Sequence, residues 1–304
     1  MSRVVRWFAA VSIMSLALIM IGCGSTGSTG ASTQVPPPPT PGTANLSVFM
    51  KDAAADNVLA FKVDVTSVAV TDANGHSTTL STTPMSFEMR HLEMAPTLAL
   101  EAGSLPSGGY STLNLTLANP SLIVNSGGTP TAATPQMAST SLAIPLSSFS
   151  LPSGGTQGLI LDFDLQASIS QNASGTYVIT PVVHESAVAP GSSGMQLVDT
   201  VGKIAALPGS PANSFDFQAN NAATTARIVT DTNTVFDASI GSFSSLQVGQ
   251  YVEVEGQLQN DGTFLAKYVE LSDSNPLLRV GGVVAAVQKD ATGNLTSINL
   301  VVQD

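Results

Sequence analysis

Apolar and polar residues alternate with a period of two along most of the chain beyond residue 44, whereas helical periodicity is scarce. Residues 61–66 read FKVDVT, which places the apolar side chains on one face of a strand. The alternation resumes one residue out of step at Val68, and this slip predicts a β-bulge. The segment DANG at residues 72–75 then predicts a hairpin turn.

Turn residues separate further alternating segments, which together predict a sandwich of seven or more strands. A linker rich in Gly and Ser at residues 191–194 ends this pattern, so we assign the β-sandwich domain to residues 44–188. The further predicted strands cover residues 78–80, 85–92, 113–117, 142–146, 161–165 and 177–183.

A second β region begins beyond the linker. Residues 251–256 read YVEVEG and alternate, and the turn NDG at residues 260–262 joins them to residues 264–271 as a hairpin. We therefore predict a smaller β domain at residues 195–274 and expect it to fold separately from the first.

The last segment repeats the first strand of that domain. GKIAAL at residues 202–207 aligns with GVVAAV at residues 282–287. Residues 277–304 are thus predicted to be a partial repeat of the second domain. They either begin another barrel or form a hairpin that packs on the preceding one, and an accidental match of a short apolar run is the remaining alternative.

The amino terminus has the layout of a secretory signal. Arg3 and Arg6 precede an uncharged, mostly apolar run over residues 7–21, in the order basic and then apolar that such signals have. The run is shorter than the roughly 20 residues that a membrane-spanning helix needs. We therefore predict that residues 1–22 are a signal peptide rather than a permanent anchor.

The sequence MIGC at the end of this run resembles a bacterial lipobox, in which the cysteine is lipidated before cleavage. Cys23 is the only cysteine, so lipidation would explain an unpaired thiol in an exported protein. The resemblance implies acyl chains such as palmitate on Cys23 that hold the protein on a membrane. Gly24 stands where known inner-membrane lipoproteins usually have Asp, which favours the outer membrane of the bacterial envelope. The alternative is that Cys23 is a small apolar residue of the signal helix.

Residues 23–43 are interpreted as the lipid anchor and a disordered tether. The first part is rich in Gly, Ser and Thr, and the run VPPPPTP follows it. A flexible coil followed by polyproline II is typical of such compositions.

Charge and aromatic content narrow the classes of partner. Without its leader the chain keeps 8 Lys and Arg residues against 21 Asp and Glu residues, a formal charge near −13. Nucleic acid is therefore not expected as a partner, because phosphate binding needs clusters of basic residues. Trp7 is the only tryptophan and lies in the leader.

Two long stretches resemble a known family. NLSVFMKDAAADNVLAFKVDVTSVAVTDANG and LILDFDLQASISQNASGTYVITPVVHE look like a domain-of-unknown-function family of prokaryotic lipoproteins, over about residues 44–186. This resemblance implies a sandwich of immunoglobulin or transthyretin type and export, but no activity.

The second β region resembles another domain-of-unknown-function family, one of small OB-like barrels. The resemblance rests on the stretches TVGKIAALPGSPANSFDFQ, ARIVTDTNTVFD and LQVGQYVEVEGQLQNDGTFLAKYVELS. The expected fold is therefore all-β: an immunoglobulin-like antiparallel β-sandwich, then a small OB-like β-barrel and the start of a repeat of it.

Candidate catalytic and metal-binding residues are few. His76, His91 and His184 lie in different segments without metal-type neighbours, and no nucleophile elbow or phosphate loop occurs in the sequence. We expect no catalytic residues, no cofactor and no metal ion. Weak calcium candidates are Asp162 and Asp164, two positions apart on a predicted strand.

Asp231 and Asn233 are a second pair of residues whose side-chain oxygens have the spacing of a cation-binding loop. The loop lacks the glycine and the terminal Glu of an EF-hand. The alternative for both groups is a solvated polar face.

The sequence favours a structural or interaction role in the envelope, without catalysis, in which an envelope protein or a glycan is the partner. The alternative is a carbohydrate-binding module, suggested by the sandwich and barrel architecture alone. Such a module stacks sugar rings on aromatic side chains, and Tyr110 or Tyr177 are the residues to test.

Overall fold

The computed structural model describes residues 42–53, 55–93, 96–272 and 282–302. The predicted signal peptide and Cys23, with the tether up to residue 41, lie outside the described residues. The all-β prediction is confirmed: strands dominate the described residues, which also contain one short helix, α1 (Leu165–Ser168), and two 3₁₀ segments (Met89–Glu93, Phe243–Ser245). The strands of the first domain are β1 (Thr43–Ala53), β2 (Val58–Asp72), β3 (Ser77–Ser81), β4 (Met85–Glu88), β5 (Thr97–Pro106), β6 (Gly108–Ser126), β7 (Thr129–Ala133), β8 (Gln136–Met137), β9 (Ser141–Leu151), β10 (Thr156–Asp164), β11 (Ile169–Gln171), β12 (Tyr177–Ile179) and β13 (Val183–Val188).

Two sheets form the predicted sandwich. Sheet A has the order β13–β10–β1–β5, and sheet B is built on the long strands β2 and β6, with β3 and β4 beside β2 and with β7 and β9 beside β6. The pair β1–β10 is parallel, which corrects the expectation of an entirely antiparallel sandwich. A small third sheet joins β11, β12 and β8.

The predicted bulge and turn in β2 are confirmed. The register of β2 against β6 shifts between Val65 and Ser67, one residue before the alternation resumes. Gly75 has a positive φ of 88° in the turn between β2 and β3, and its N–H donates to the Asp72 carbonyl. The alternation and the turn residues therefore encode this part of sheet B locally.

Three predicted strands are too long. The strand at residues 85–92 ends at Glu88 and continues as a 3₁₀ segment, and the strand at residues 161–165 ends at Asp164, where α1 begins. Asp164 causes this ending, because its Oδ1 accepts a hydrogen bond from the Ala167 N–H and so caps the helix. The strand at residues 177–183 is interrupted after Ile179, just before Pro181.

The sandwich core lies between the inner faces of sheets A and B. Alternate residues of β1, such as Leu46 and Val48, pack there against Val63 and Leu115 of sheet B. A cavity near Phe163 and Pro181 holds about 10 Å³ of open space, roughly the volume of one water molecule. Known ligand pockets measure roughly 300–1,000 Å³, so this cavity is a gap in the packing and not a ligand site.

The predicted small barrel is confirmed in the second domain, and the structure shows that it has five strands. The order β16–β15–β14–β18–β19 closes through a parallel pairing of β16 with β19, and the short strand β17 adds to β19. The NDG turn joins β18 to β19 as predicted, with Gly262 at φ 86°. The strands are β14 (Gln196–Ala206), β15 (Ser214–Ala219), β16 (Ala226–Val229), β17 (Val235–Phe236), β18 (Tyr251–Leu258) and β19 (Phe264–Leu271).

The barrel packs on the outer face of sheet A. Phe49 of β1 and Leu98 of β5 are fully buried in one apolar cluster with barrel residues, and the rings of Phe49 and Phe264 lie 6.2 Å apart. Gly158 of β10 leaves space that the side chain of Met195 fills. We call this contact the sheet A–barrel interface.

The final strands, β20 (Gly282–Lys289) and β21 (Leu295–Val302), form a hairpin. Its buried contacts are with the sandwich, where Val301 packs against Leu59 and Ala60. The interpretation of residues 277–304 as a partial repeat of the barrel stays a prediction, as do the domain boundaries and the separate folding of the two domains.

Candidate functional site

The two acidic residues proposed as a weak calcium site lie on β10, inside sheet A. Asp162 and Asp164 are two positions apart, so both side chains leave the sheet on its outer face. Phe163, between them, points into the sandwich core. The face that carries the two carboxylates is the one that the barrel covers elsewhere, at Phe49.

Asp162 is paired with a lysine of the neighbouring strand. The Lys51 Nζ atom donates a hydrogen bond to Asp162 Oδ2 at 3.3 Å, and the two residues are register partners on β1 and β10. Both side chains are partly exposed, so solvent screens this ion pair. Among the described residues, the buried Oδ1 of Asp162 has no hydrogen-bond partner. The charge of this carboxylate is already balanced before any cation binds.

Asp164 accepts a hydrogen bond from a backbone N–H group instead of pairing with a lysine. Its Oδ1 caps α1 through the Ala167 N–H at 2.8 Å, and its Oδ2 lies 4.0 Å from His184 Nε2 on β13. The His184 side chain is 69% exposed. The two carboxylates thus have separate partners, although they share a face.

We call Lys51, Asp162, Asp164 and His184 the sheet A patch. In the part of the chain that the structure describes, no group of three or more His, Cys, Asp or Glu side chains is placed to hold a metal ion. Calcium takes six to eight oxygen ligands, and here Lys51 and the helix cap each engage one oxygen of one of the two carboxylates. Calcium binding by Asp162 and Asp164 stays a prediction.

The loop with Asp231 and Asn233 is a turn held by its own side chains. Asp231 Oδ1 accepts hydrogen bonds from the N–H groups of Asn233 and Thr234 at 2.8 and 3.1 Å. These hydrogen bonds lower the pKa of Asp231. Both Asp231 oxygens therefore accept hydrogen bonds within the turn, Oδ1 from backbone N–H groups and Oδ2 from the Asn233 side-chain amide.

The three histidines lie apart, as predicted. His76 is in the turn between β2 and β3, where its Nδ1 lies 3.1 Å from Asp72 Oδ2. His91 lies in the 3₁₀ segment after β4, and His184 lies on the edge strand of sheet A.

The two tyrosines named for sugar stacking are not open platforms. Tyr110 is 5% exposed, and its hydroxyl donates to the carbonyl of Pro106, four residues upstream, at 2.8 Å. This is a structural contact that resembles the tyrosine corner of sandwich folds. Tyr177 is half-buried against the sandwich core.

Sequence reasoning missed a carboxyl group in the sheet A–barrel interface. Glu101 of β5 pairs in register with Ser47 of β1, and its backbone N–H and C=O both bond to the Thr224 hydroxyl of the barrel domain. The residue is partly exposed as a whole, but its Oε1 is buried and has no hydrogen-bond partner in the described part of the chain. Burial raises the pKa of Glu101 to about 8, and the Ser47 hydroxyl offsets part of this effect.

One signal in the sequence points to that burial. The run LAL just before Glu101 has apolar residues at consecutive positions, which is typical of a strand covered on both faces. A register shift in β5 then places Leu98 and Glu101 on the same outer face, and this shift depends on the pairing with β1.

The described helices include none that is long and apolar enough to cross a membrane. The predicted lipidation site, Cys23, lies outside the described residues.

Two family models match the chain, and both describe domains of unknown function. Residues 43–181 match the domain of unknown function DUF4382, and residues 201–270 match the domain of unknown function DUF5666. The predicted presence of two such families in this order is confirmed. No curated protein and no solved structure shows a significant match to the chain.

Proposed function

We propose that this protein is a lipid-anchored component of the bacterial cell envelope with a structural or interaction role and no catalysis. One observation supports the role: Phe49 and Leu98 of the sandwich share an apolar cluster with the barrel, so the two β regions pack against each other. Packing of this kind limits the conformational freedom that binding to a partner would cost. The charge near −13 is consistent with a partner other than nucleic acid.

The anchor rests on the sequence around Cys23. In the expressing bacterium, Cys23→Ser should abolish the incorporation of labelled palmitate and release the protein from the membrane fraction. Ser25→Ala is the matched control, because it alters a neighbouring residue and leaves the thiol in place. A Cys23→Ser protein that stays in the membrane fraction would contradict the lipid anchor.

The proposed location is the outer membrane, with Gly24 as the sorting residue. In a bacterium with two membranes, separation by density should find the wild type with outer-membrane markers. Gly24→Asp should move it to the inner-membrane fraction without loss of palmitate. Co-sedimentation of the wild type with inner-membrane markers would refute the proposed location.

The interaction role is tested by cross-linking in intact envelopes, followed by purification of the protein and identification of its covalent partners. A reproducible protein partner that is absent from the Cys23→Ser strain supports the proposal. A broad screen that finds substrate turnover by the purified protein would replace it with an enzymatic function.

We do not propose carbohydrate binding, because the Tyr110 hydroxyl donates a hydrogen bond to the Pro106 carbonyl and the Tyr110 ring is buried in the core. A glycan array with the purified protein remains the direct check. Binding that Tyr177→Ala abolishes would restore the alternative.

A further inference from the structure

The barrel domain closes one edge of sheet A. β5 is the last strand in the order β13–β10–β1–β5, and the segment between β15 and β16 lies along its edge. There the Ala223 N–H donates to the Ala99 carbonyl at 2.8 Å. The Thr224 hydroxyl accepts from the Glu101 N–H at 2.7 Å and donates to the Glu101 carbonyl at 2.9 Å. We call these three hydrogen bonds the β5 clasp.

The clasp lies directly over the Glu101 side chain. Glu101 is the register partner of Ser47, and its side chain leaves sheet A on the outer face, as that of Phe49 does. Ser47 and Phe49 are fully buried there. Glu101 Oε1 is buried as well, and no hydrogen bond to it forms within the described ranges. The interface thus covers a carboxyl oxygen that it leaves unsatisfied.

The charged groups near this interface do not balance a carboxylate. Burial raises the pKa of Glu101, the Ser47 hydroxyl opposes this effect, and no charge interaction contributes to the shift. Asp216 and Arg227 of the barrel strands beside the clasp bond to each other. The other charged residues on the elements packed against β5 are Lys51 and Asp52 of β1, Asp199 and Lys203 of β14, and Asp261 in the turn between β18 and β19.

Proton binding and closure of the interface are therefore linked. Burying a carboxylate without a charged partner is costly, whereas a protonated carboxyl group is neutral. The pKa of Glu101 is about 8 beneath the barrel and should return towards its ordinary value of 4.5 when solvent reaches it. Because the closed form binds the proton more tightly, closure is most favourable below about pH 4.5 and weakens as the pH rises towards 8.

Each β region has an apolar core of its own. The inner faces of sheets A and B form one cluster, and the barrel strands form another. Phe49 and Leu98 are the fully buried sandwich residues of the barrel cluster. Separation along β5 would therefore disturb the contact between the regions and leave both cores in place.

We propose that the sheet A–barrel interface is a pH-dependent latch, in which protonated Glu101 keeps the interface closed and loss of its proton releases Ala223 and Thr224 from β5. The sandwich and the barrel both stay folded in the released form. This proposal does not depend on the lipid anchor.

The test uses full-length protein with Cys23→Ser, which has no candidate lipid. Hydrogen exchange of single amides is measured between pH 4 and pH 9 and corrected for the intrinsic exchange rate at each pH. Protection of the Ala223 and Glu101 amides should fall on the order of 1,000-fold over this range, as the difference between the two pKa values requires. The Leu113 amide of β6, a strand paired on both sides, should keep its protection.

Three variants separate the titration from the contact. Glu101→Gln keeps the size of the side chain and removes the charge, so protection of Ala223 should no longer depend on pH. Glu185→Gln, on β13 and outside the interface, should behave as the wild type does. Thr224→Val removes the clasp hydroxyl and should lower protection of Ala223 by a similar factor at every pH.

Protection of Ala223 that does not change with pH in the wild type would overturn the proposal. A loss of protection that Glu101→Gln retains would also overturn it, because another group would then control the interface. Loss at Leu113 at the same pH as at Ala223 would show unfolding of the whole chain in place of a latch.

Discussion

The hairpins β14–β15 and β20–β21 share their register, their bulge and a close-packed glycine, Gly202 or Gly282, but β14–β15 is in a barrel and β20–β21 lies on the sandwich. Phe217 is fully buried, whereas Leu300, at the equivalent position of the second pairing, is 40% exposed. The local pattern thus determines strand pairing, whereas burial depends on which other strands pack on the hairpin. In the barrel those strands include β18 and β19.

The outer face of sheet A repeats this contrast within one sheet. The barrel covers the half with Phe49 and Glu101, whereas Asp162 and His184 lie in the part with partly exposed side chains. A carboxyl group under the barrel has a raised pKa, and a carboxylate of the open half keeps a lysine partner. Burial beneath the barrel therefore changes the protonation behaviour of an acidic side chain on this sheet.

The largest expected effect comes from truncating the equivalent residues of the two hairpins. Phe217→Ala should destabilise the protein by about 3–5 kcal/mol, because it leaves a cavity in the barrel core. Leu300→Ala should cost less, about 1 kcal/mol, because 40% of the Leu300 surface is already exposed to solvent. Urea unfolding of both variants measures the difference, and equal losses would show that Leu300 is buried in solution.

The second effect concerns Glu101 in the sheet A–barrel interface. Its pKa is raised from 4.5 to about 8 in the folded protein, so the folded state binds more protons than the unfolded state between these values. Stability from this group is therefore full below about pH 4.5 and is lost as the pH rises towards 8. Glu101→Gln should remove this loss and be more stable than wild type by roughly 2–4 kcal/mol at pH 9, with little difference at pH 4.

The measurement is the free energy of unfolding of both proteins across that pH range. Glu185→Gln serves as the control, because this half-buried glutamate of β13 lies outside the sheet A–barrel interface and accepts a hydrogen bond from the Ser147 N–H. Parallel pH profiles for wild type and Glu101→Gln would show that the interface admits water to the carboxyl group.

The third effect compares the two glycines. Gly202→Ala should cost about 1–3 kcal/mol of global stability, because a Cβ atom meets the backbone of β15. Gly282→Ala meets the equivalent obstacle but should open only the terminal hairpin. Hydrogen exchange should then show lost protection confined to β20–β21, with the urea midpoint within error of wild type. A global loss from Gly282→Ala would mean that the hairpin is integral to the sandwich.

The sequence predicted what depends on neighbours along the chain. Period-two alternation, the slip before Val68 and the turns at Gly75 and Gly262 encode strands and hairpins locally, and all of these are confirmed. The shortened strand at Asp164 depends on a cap that requires the helix geometry itself. The parallel pairing of β1 with β10 and the burial of Glu101 depend on segments more than 100 residues apart, which periodicity does not relate to each other.

The smallest expected effect tests the open half of sheet A. Calcium in millimolar excess over chelator should leave the Tm unchanged, because Lys51 already neutralises Asp162 and because Asp164 Oδ1 holds the Ala167 N–H. Any ion that bound only the folded state would raise the Tm by mass action, so thermal unfolding with calcium and with chelator is sensitive to weak sites. A rise that Asp162→Asn abolishes and Asp231→Asn retains would establish a calcium site on sheet A. The reverse dependence would place the ion in the Asp231 loop, and a rise insensitive to both variants would point to oxygens elsewhere in the chain.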